Sequence, residues 1–205
     1  MKIYLDLDGT LWDSKPRLYR LFCDLTQQDI LNFDEYWDLK RNMHGHPFIL
    51  KEFLGYTTQE IDTFEIRWLN EIESTYYLKF DALFNFTVPI LERLCESGFQ
   101  LIMVTARQNS KNLKEELESK GIIRYFDQIL VTEGTCTKEE LVRSSCNGND
   151  QNDFFIGDTG MDIITGKSLK MKTAGVLSGF RSSAFLKKYR PDYIIDNLSE
   201  IYDIL

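Results

Sequence analysis

Positive charge is in short supply: 24 Lys and Arg stand against 32 Asp and Glu, giving a formal net charge of −8 and a pI near 4.9. That balance argues against a nucleic-acid partner, which needs a basic face for its phosphates. The acidic residues are scattered, so there is no acidic tail either. Cysteine is sparse, and Cys23, Cys95, Cys136 and Cys146 form no C-x-x-C pair. They read as free thiols in a reducing cytoplasm rather than as a metal site or a disulfide framework. No apolar run reaches the ~18 residues of a membrane span. The first residues enter an apparent core strand at once, so a signal peptide is not expected. Internal repeats and low-complexity segments are absent. What remains is a chain of 205 residues, 43% apolar and 13% aromatic. That suffices for one large domain or for a core with an insertion. A soluble cytoplasmic protein is expected, with no membrane partner and a monomer as the simplest state.

The organising stretch is Ile3-Tyr4-Leu5-Asp6-Leu7-Asp8-Gly9-Thr10-Leu11. A short apolar run puts carboxylates on alternate residues and breaks at Gly-Thr. Strand alternation would set Asp6 and Asp8 on one side, where like charges repel unless a cation or shared proton relieves them. From Trp12 to Phe86 the pattern is helical, with almost no strand signal. Leu18, Leu21, Phe22 and Leu25 form one stripe, and Phe33, Tyr36, Trp37 and Met43 a second. A third, through Phe48, Ile49, Phe53 and Leu54, closes at Gly55. Thr57 to Glu60 reads as a capping box opening a fourth helix through Ile61, Phe64, Trp68, Leu69 and Ile72. These helices make an insertion of roughly 70 residues, long enough to bury a small core of its own.

The second half alternates strand and helix. Thr87 and Pro89 open a helix that Gly98 ends, and Phe99 to Val104 is a near-continuous apolar strand. A helix from Leu113 to Lys120 stops at Gly121, and Gln128 to Val131 is the next strand. Thr137 to Glu140 is another capping box; Phe154–Ile156, Thr173–Val176 and Tyr193–Ile195 complete the strands. This alternation predicts an α/β fold, a doubly wound parallel sheet with an inserted all-helical segment. Ser144 to Asn152, rich in Asn, Ser and Gly, reads as a polar loop.

In such a sheet ligands bind at the carboxyl ends of the strands. Asp6 and Asp8 end the first strand, Thr105-Ala106-Arg107 follow the second, Lys138 opens a helix after the third, and Gly157-Asp158-Thr159-Gly160-Met161-Asp162 follow the fourth. The carboxylates suit a hard divalent cation such as Mg²⁺. Thr105, Lys138 and helix-start N–H groups suit a phosphate. Each element has a plainer reading alone: a solvated turn for Asp6 and Asp8, a helix cap for Thr105, a surface charge for Lys138, a turn for Asp158. Four coincidences on one rim are improbable, and the joint reading is preferred.

These motifs resemble the haloacid dehalogenase-like superfamily, in its phosphoglycolate-phosphatase-like branch with a helical cap after the first motif. The resemblance rests on Asp6-Leu7-Asp8-Gly9-Thr10-Leu11, Val104-Thr105 and Gly157 to Asp162, with Ala174 to Phe180 and Pro191-Asp192-Tyr193-Ile194 in support. The third motif is the weakest match, because Lys138 is followed by Glu139 where proline is frequent; Lys111 is a poorer substitute within a helix. The resemblance implies a core of residues 1–12 and 87–205 and a cap of 13–86. It implies a Mg²⁺-dependent phosphatase acting on a small phosphorylated metabolite. Asp6 would be the nucleophile, forming an aspartyl-phosphate, and Asp8 the general acid and then base. Asp6, the Asp8 carbonyl, Asp158 and Asp162 would hold the metal; Thr105, Ala106, Lys138 and Gly9 would bind phosphate. A carboxylate at Asp8 disfavours dehalogenation.

In the cap, Lys40, Arg41, His44 and His46 could read an anionic or polar leaving group. A solvated face and a polar loop are preferred for them, and core packing for the aromatic stripes. Trp12, Asp13 and Ser14 would start the hinge, and Arg107 either faces the cleft or caps a sheet edge. A hexose-phosphate mutase or a catalytically silent binding protein on the same fold are the alternatives, the latter opposed by Asp6, Asp8, Thr105 and Asp158 all being present.

Overall fold

Ile3 and Leu5 point into one apolar cluster and Tyr4 into another, so the first strand is covered on both faces. The computed structural model describes residues 1–27, 30–42, 44–145 and 151–205; Met43, Cys146 and most of the expected loop 144–152 lie outside them. The chain runs β1 (Lys2–Leu5), β2 (Trp12–Asp13), α1 (Lys15–Thr26), α2 (Phe33–Arg41), α3 (His46–Leu54), α4 (Thr58–Glu71), α5 (Thr75–Leu78) and β3 (Ala82–Leu83). It continues through α6 (Thr87–Glu96), β4 (Gln100–Thr105), α7 (Ser110–Ser119), β5 (Gln128–Val131), α8 (Lys138–Ser145), β6 (Phe154–Gly157), α9 (Gly160–Ser168), β7 (Lys172–Val176), α10 (Ser183–Leu186) and β8 (Tyr193–Ile195).

Six strands form one parallel sheet in the order β5-β4-β1-β6-β7-β8. The chain winds outward from β1 through β4 and β5, then returns to the other side at β6. The reversal therefore falls between β1 and β6, the topological switch point of a doubly wound sheet. Both neighbouring strand ends carry carboxylates. On one face Leu91, Leu94, Leu113 and Leu117 from α6 and α7 pack on Ile3, Leu5, Leu101 and Met103. On the other, Val142 and Leu169 cover Tyr4, Ile102, Val104 and Phe155.

Helices α1 to α5 bury a separate cluster that includes Leu21, Phe22, Tyr36, Trp37, Ile49, Leu50 and Phe64. The expected capping devices form: Thr57 and Glu60 exchange bonds at the start of α4, and Gly55 ends α3 at φ +67°. One departure lies at the ends of this segment. The sequence shows no strand there, yet β2 and β3 pair antiparallel through Trp12–Leu83 and Asp13–Ala82. A two-residue ribbon is too short to leave an alternation pattern, and its pairing depends on segments ~70 residues apart meeting in space. Among the described residues, no helix is long and apolar enough to cross a membrane.

Candidate active site

β1 ends at Leu5, and the Asp6 N–H donates to the Ile156 carbonyl at 2.9 Å, fixing that carboxylate at the strand terminus. Asp6, Asp158 and Asp162 are buried, and one oxygen from each lies within 4.8 Å of the others. The Lys138 ammonium bridges two of them, 2.5 Å from Asp6 Oδ1 and 2.6 Å from Asp162 Oδ1. Lys138 reaches this point from the first turn of α8, which Thr137 and Glu140 cap as expected. The lysine thus lies with the carboxylates, whereas Lys111 is exposed on α7. The Glu139 that replaces proline is no obstacle, since it pairs along the helix with Arg143.

Asp158 follows β6. Its Oδ2 accepts the Phe180 N–H at 2.7 Å, and its buried Oδ1 has no hydrogen-bond partner among the described residues. Asp162 Oδ2 accepts from the Thr159 N–H and hydroxyl at 3.0 and 2.6 Å, a capping box that holds the first turn of α9. Burial pushes the Asp158 carboxyl well up, with Asp6 and Asp162 adding repulsion. Burial likewise raises Asp6, to about 7, against the lowering pull of Lys138. A buried orphan oxygen within a hard-oxygen cluster of excess negative charge fits a small divalent cation. Asp6, Asp158 and Asp162 would hold it.

Asp8 behaves differently from the expected free carboxyl. It sits in the turn after β1, bridged to Trp12, and not on a strand alternating with Asp6. Its side chain lies outside the metal-competent cluster, which leaves only its backbone carbonyl for a metal. Arg107 grips it with two prongs, Nε to Oδ2 at 2.7 Å and Nη2 to Oδ1 at 2.9 Å. Arg17 adds Nη2 to Oδ1 at 2.7 Å, with Ser14 and Trp12 also donating. Burial alone would raise this carboxyl, but the Arg107 and Arg17 guanidiniums hold it well below the usual carboxylate range. Arg107 therefore faces inward and caps no sheet edge. The sequence pattern does not mark Arg17, which lies on a helix whose spacing reveals only the Leu and Phe stripe.

Thr105 is buried at the end of β4, and its hydroxyl oxygen is 3.4 Å from the Arg107 N–H. It is not a helix cap, because Asn109 caps α7. Ala106 is exposed beside it. Gly9 is drawn away from phosphate binding: its N–H donates to the Trp12 carbonyl at 2.8 Å. What its position requires is the absence of a side chain. It adopts φ +85°, and a Cβ there would lie 2.5 Å from Asp158 Oδ2.

A cleft of about 200 Å³ adjoins the site, lined by Asp8, Arg17, Leu18, Leu69, Arg107 and Phe180 among others. Of the outer charged group, Arg41 is exposed, while Lys40 is half-buried and lowered to about 8 by burial and by Arg181. His46 departs most from a polar loop. It opens α3 with its ring packed against Phe64 and Trp68, and Tyr36 Oη lies 2.9 Å from its Nε2.

Residues 3–176 match the family model for haloacid dehalogenase-like hydrolases. The pyrophosphatase PpaX of Oceanobacillus iheyensis is 26% identical over 99% of this chain and 95% of its own length. A phosphoglycolate phosphatase of Vibrio parahaemolyticus is 25% identical over 56% of this chain and 53% of its own. The structure of a haloacid dehalogenase-like family hydrolase from Streptococcus pneumoniae superposes with a TM-score of 0.77 at 20% identity, covering 98% of this chain and 96% of that one. The chain belongs to the haloacid dehalogenase-like hydrolases.

Proposed function

We propose that this hydrolase, which is of the phosphatase type, cleaves a small phosphomonoester through an aspartyl-phosphate formed on Asp6. The observation that carries the reading is the Asp6 carboxylate at the switch point, with Lys138 at 2.5 Å and two further carboxylates beside it. Mg²⁺ is the cation this oxygen set favours, held by Asp6, Asp158, the Asp8 carbonyl, and Asp162 directly or through water. When bound, it would offset the repulsion between an anionic nucleophile and an anionic phosphate. Lys138 orients Asp6 and, with the Thr105 hydroxyl and the Ala106 segment, receives the phosphate oxygens. Asp6 attacks phosphorus, and Asp8 is assigned the proton transfer to the departing oxygen, a role that requires it to leave the Arg107 and Arg17 guanidiniums that hold it ionised in this arrangement. Asp8 then takes a proton from the water that hydrolyses the acyl-phosphate.

Residues 13–86 act as the cap in this reading, enclosing the leaving group over the cleft and keeping bulk water from the acyl-phosphate. Phosphoglycolate, a phosphomonoester, and pyrophosphate, an anhydride, appear in the names of two relatives and are the first substrates to test. A monomer in the cytoplasm goes with this reading, with Cys23, Cys95 and Cys136 outside any disulfide. The test is phosphate release from these substrates and p-nitrophenyl phosphate, with Mg²⁺ and with chelator. Activity is expected only with metal, and Asp6→Asn is expected to fall to background. An Asp6→Asn protein that retains wild-type turnover would overturn the assignment.

A further inference from the structure

The loop that leaves β4 is held by a carboxylate from the helical segment. Glu73, between α4 and α5, accepts the Gln108 N–H on Oε1 at 2.8 Å and the Asn109 N–H on Oε2 at 3.2 Å. The Gln108 side-chain amide donates in turn to the Leu69 carbonyl of α4 at 3.4 Å. Glu73 and Gln108 line the same cleft as Asp8 and Ala106. Successive N–H groups of a turn form a concavity that takes an anion. Here the chain's own carboxylate occupies it. The start of α7 does not need Glu73, because the Asn109 side chain caps that helix by accepting the Asn112 N–H at 2.9 Å. Gln108 and Asn109 are exposed, so water would satisfy both donors in its absence. A carboxylate is therefore kept at the cleft wall where the fold does not require one.

The other charges of the cleft leave no cation for a second anion. Its lining cations are Arg17 and Arg107, both 3% exposed, and Asp8 and Asp81 take both guanidiniums. Lys40, Arg41 and Arg181 are not among the lining residues, and Leu18, Leu69, Ile72 and Phe180 supply apolar wall. We infer that Glu73 is a specificity-determining residue that turns away leaving groups carrying a negative charge, so that the substrate class is phosphate monoesters of small uncharged alcohols. This rests on the phosphatase reading above. An anionic group on the leaving alcohol would meet the Asp8 and Glu73 carboxylates, and the N–H donors it would use are already filled. Like charges set against each other in a cleft discriminate strongly, whereas an uncharged alcohol meets no such repulsion. The transferred phosphate is spared, because it lies on the Asp6 side, where Lys138 stands. Phosphoglycolate and pyrophosphate each carry a second anionic group and fall in the disfavoured class.

The experiment compares kcat/KM for phosphoglycolate with that for phosphoglycolamide, which matches it in size and lacks the carboxylate charge. With Mg²⁺ the wild-type chain is expected to favour the amide at least about tenfold, and added salt should narrow that preference by screening. Glu73→Ala and Glu73→Lys both lose the two hydrogen bonds, so a residue that only latches cap to core would give the same ratio in both variants. Selection by charge instead predicts that Glu73→Ala cuts the preference for the amide about tenfold and that Glu73→Lys reverses it. Equal ratios in the two variants, or a wild-type preference for phosphoglycolate, would overturn the inference. In either case Mg²⁺-dependent release from p-nitrophenyl phosphate shows that the phosphatase reading still stands. If none of the three esters yields phosphate, that reading fails and the inference with it.

Discussion

Asp158 is held in place by what its neighbours lack. A Cβ on Gly179 would come 2.1 Å from Asp158 Oδ2, and one on Gly157 would meet Asp162 Cγ at 2.3 Å. These glycines follow β7 and end β6, and they let two backbone segments close against the carboxylates. Neighbours that orient a metal ligand typically matter 10- to 100-fold for metal affinity. Gly179→Ala is therefore expected to raise the Mg²⁺ concentration for half-maximal activity by at least about tenfold. A titration of activity against Mg²⁺ checks this, and an unchanged midpoint would show that Gly179 is only a turn residue. The carboxylates themselves were legible in the sequence because Asp6 and Asp158 directly follow strands and Asp162 lies in the turn of helix that comes next. The crowding glycines were not, since a Gly in a turn looks the same whether a carboxylate or solvent lies above it. Arg17 and Arg107 share that limitation: a cation's partner is a fact about three dimensions.

Among the elements, the helices α1 to α4 carry a pH-sensitive packing contact. His46 packs against Phe22, Phe64 and Trp68, and burial, with Lys40 nearby, holds its imidazole well below its ordinary value near 6.5. The folded state thus favours the neutral ring, while the unfolded chain takes up a proton near pH 6.5. Stability from this group is complete above that pH and drains as pH falls toward the depressed folded value. Thermal melts from pH 7.5 to 5 should show the midpoint falling, and His46→Gln should flatten that slope. Equal slopes in the two proteins would remove His46 as the source. The caps at Thr57 and Thr137 were legible because the S/T-x-x-E pattern is local. The site of His46 was not: beside Gly45 and Pro47 it reads as a loop, yet it packs because α4 folds back over α3.

For the molecule as a whole, the switch point between β1 and β6 gathers carboxylates that the chain separates by some 150 residues. Folding without a cation leaves them in mutual repulsion that Lys138 relieves only in part. A metal that binds the folded state alone should therefore stabilise it, by about 2.7 kcal/mol at a concentration 100 times its Kd. For a chain of this size that corresponds to a rise in Tm of about 5–10 °C. Asp158→Asn, which keeps shape and removes a charged ligand, should abolish the rise. A melting curve with Mg²⁺ and with chelator tests it, and equal shifts in the two proteins would move the metal elsewhere.

The sequence alone determined the fold class and the carboxylate rim, because hydrophobic period, caps and strand-end residues are local signals. It also carried the family resemblance through short motifs of fixed spacing. It did not determine the order of the strands, and hence that Asp6 and Asp158 would be neighbours at the switch point. Nor did it determine the environment of Asp8. Strand alternation set the two carboxylates of the first motif side by side, whereas the chain leaves the strand at Asp6. Lys138 then takes one and two guanidiniums take the other. The division depends on which cations the tertiary fold brings within about 3 Å, and at that range Coulomb energy in a buried site outweighs local backbone preference.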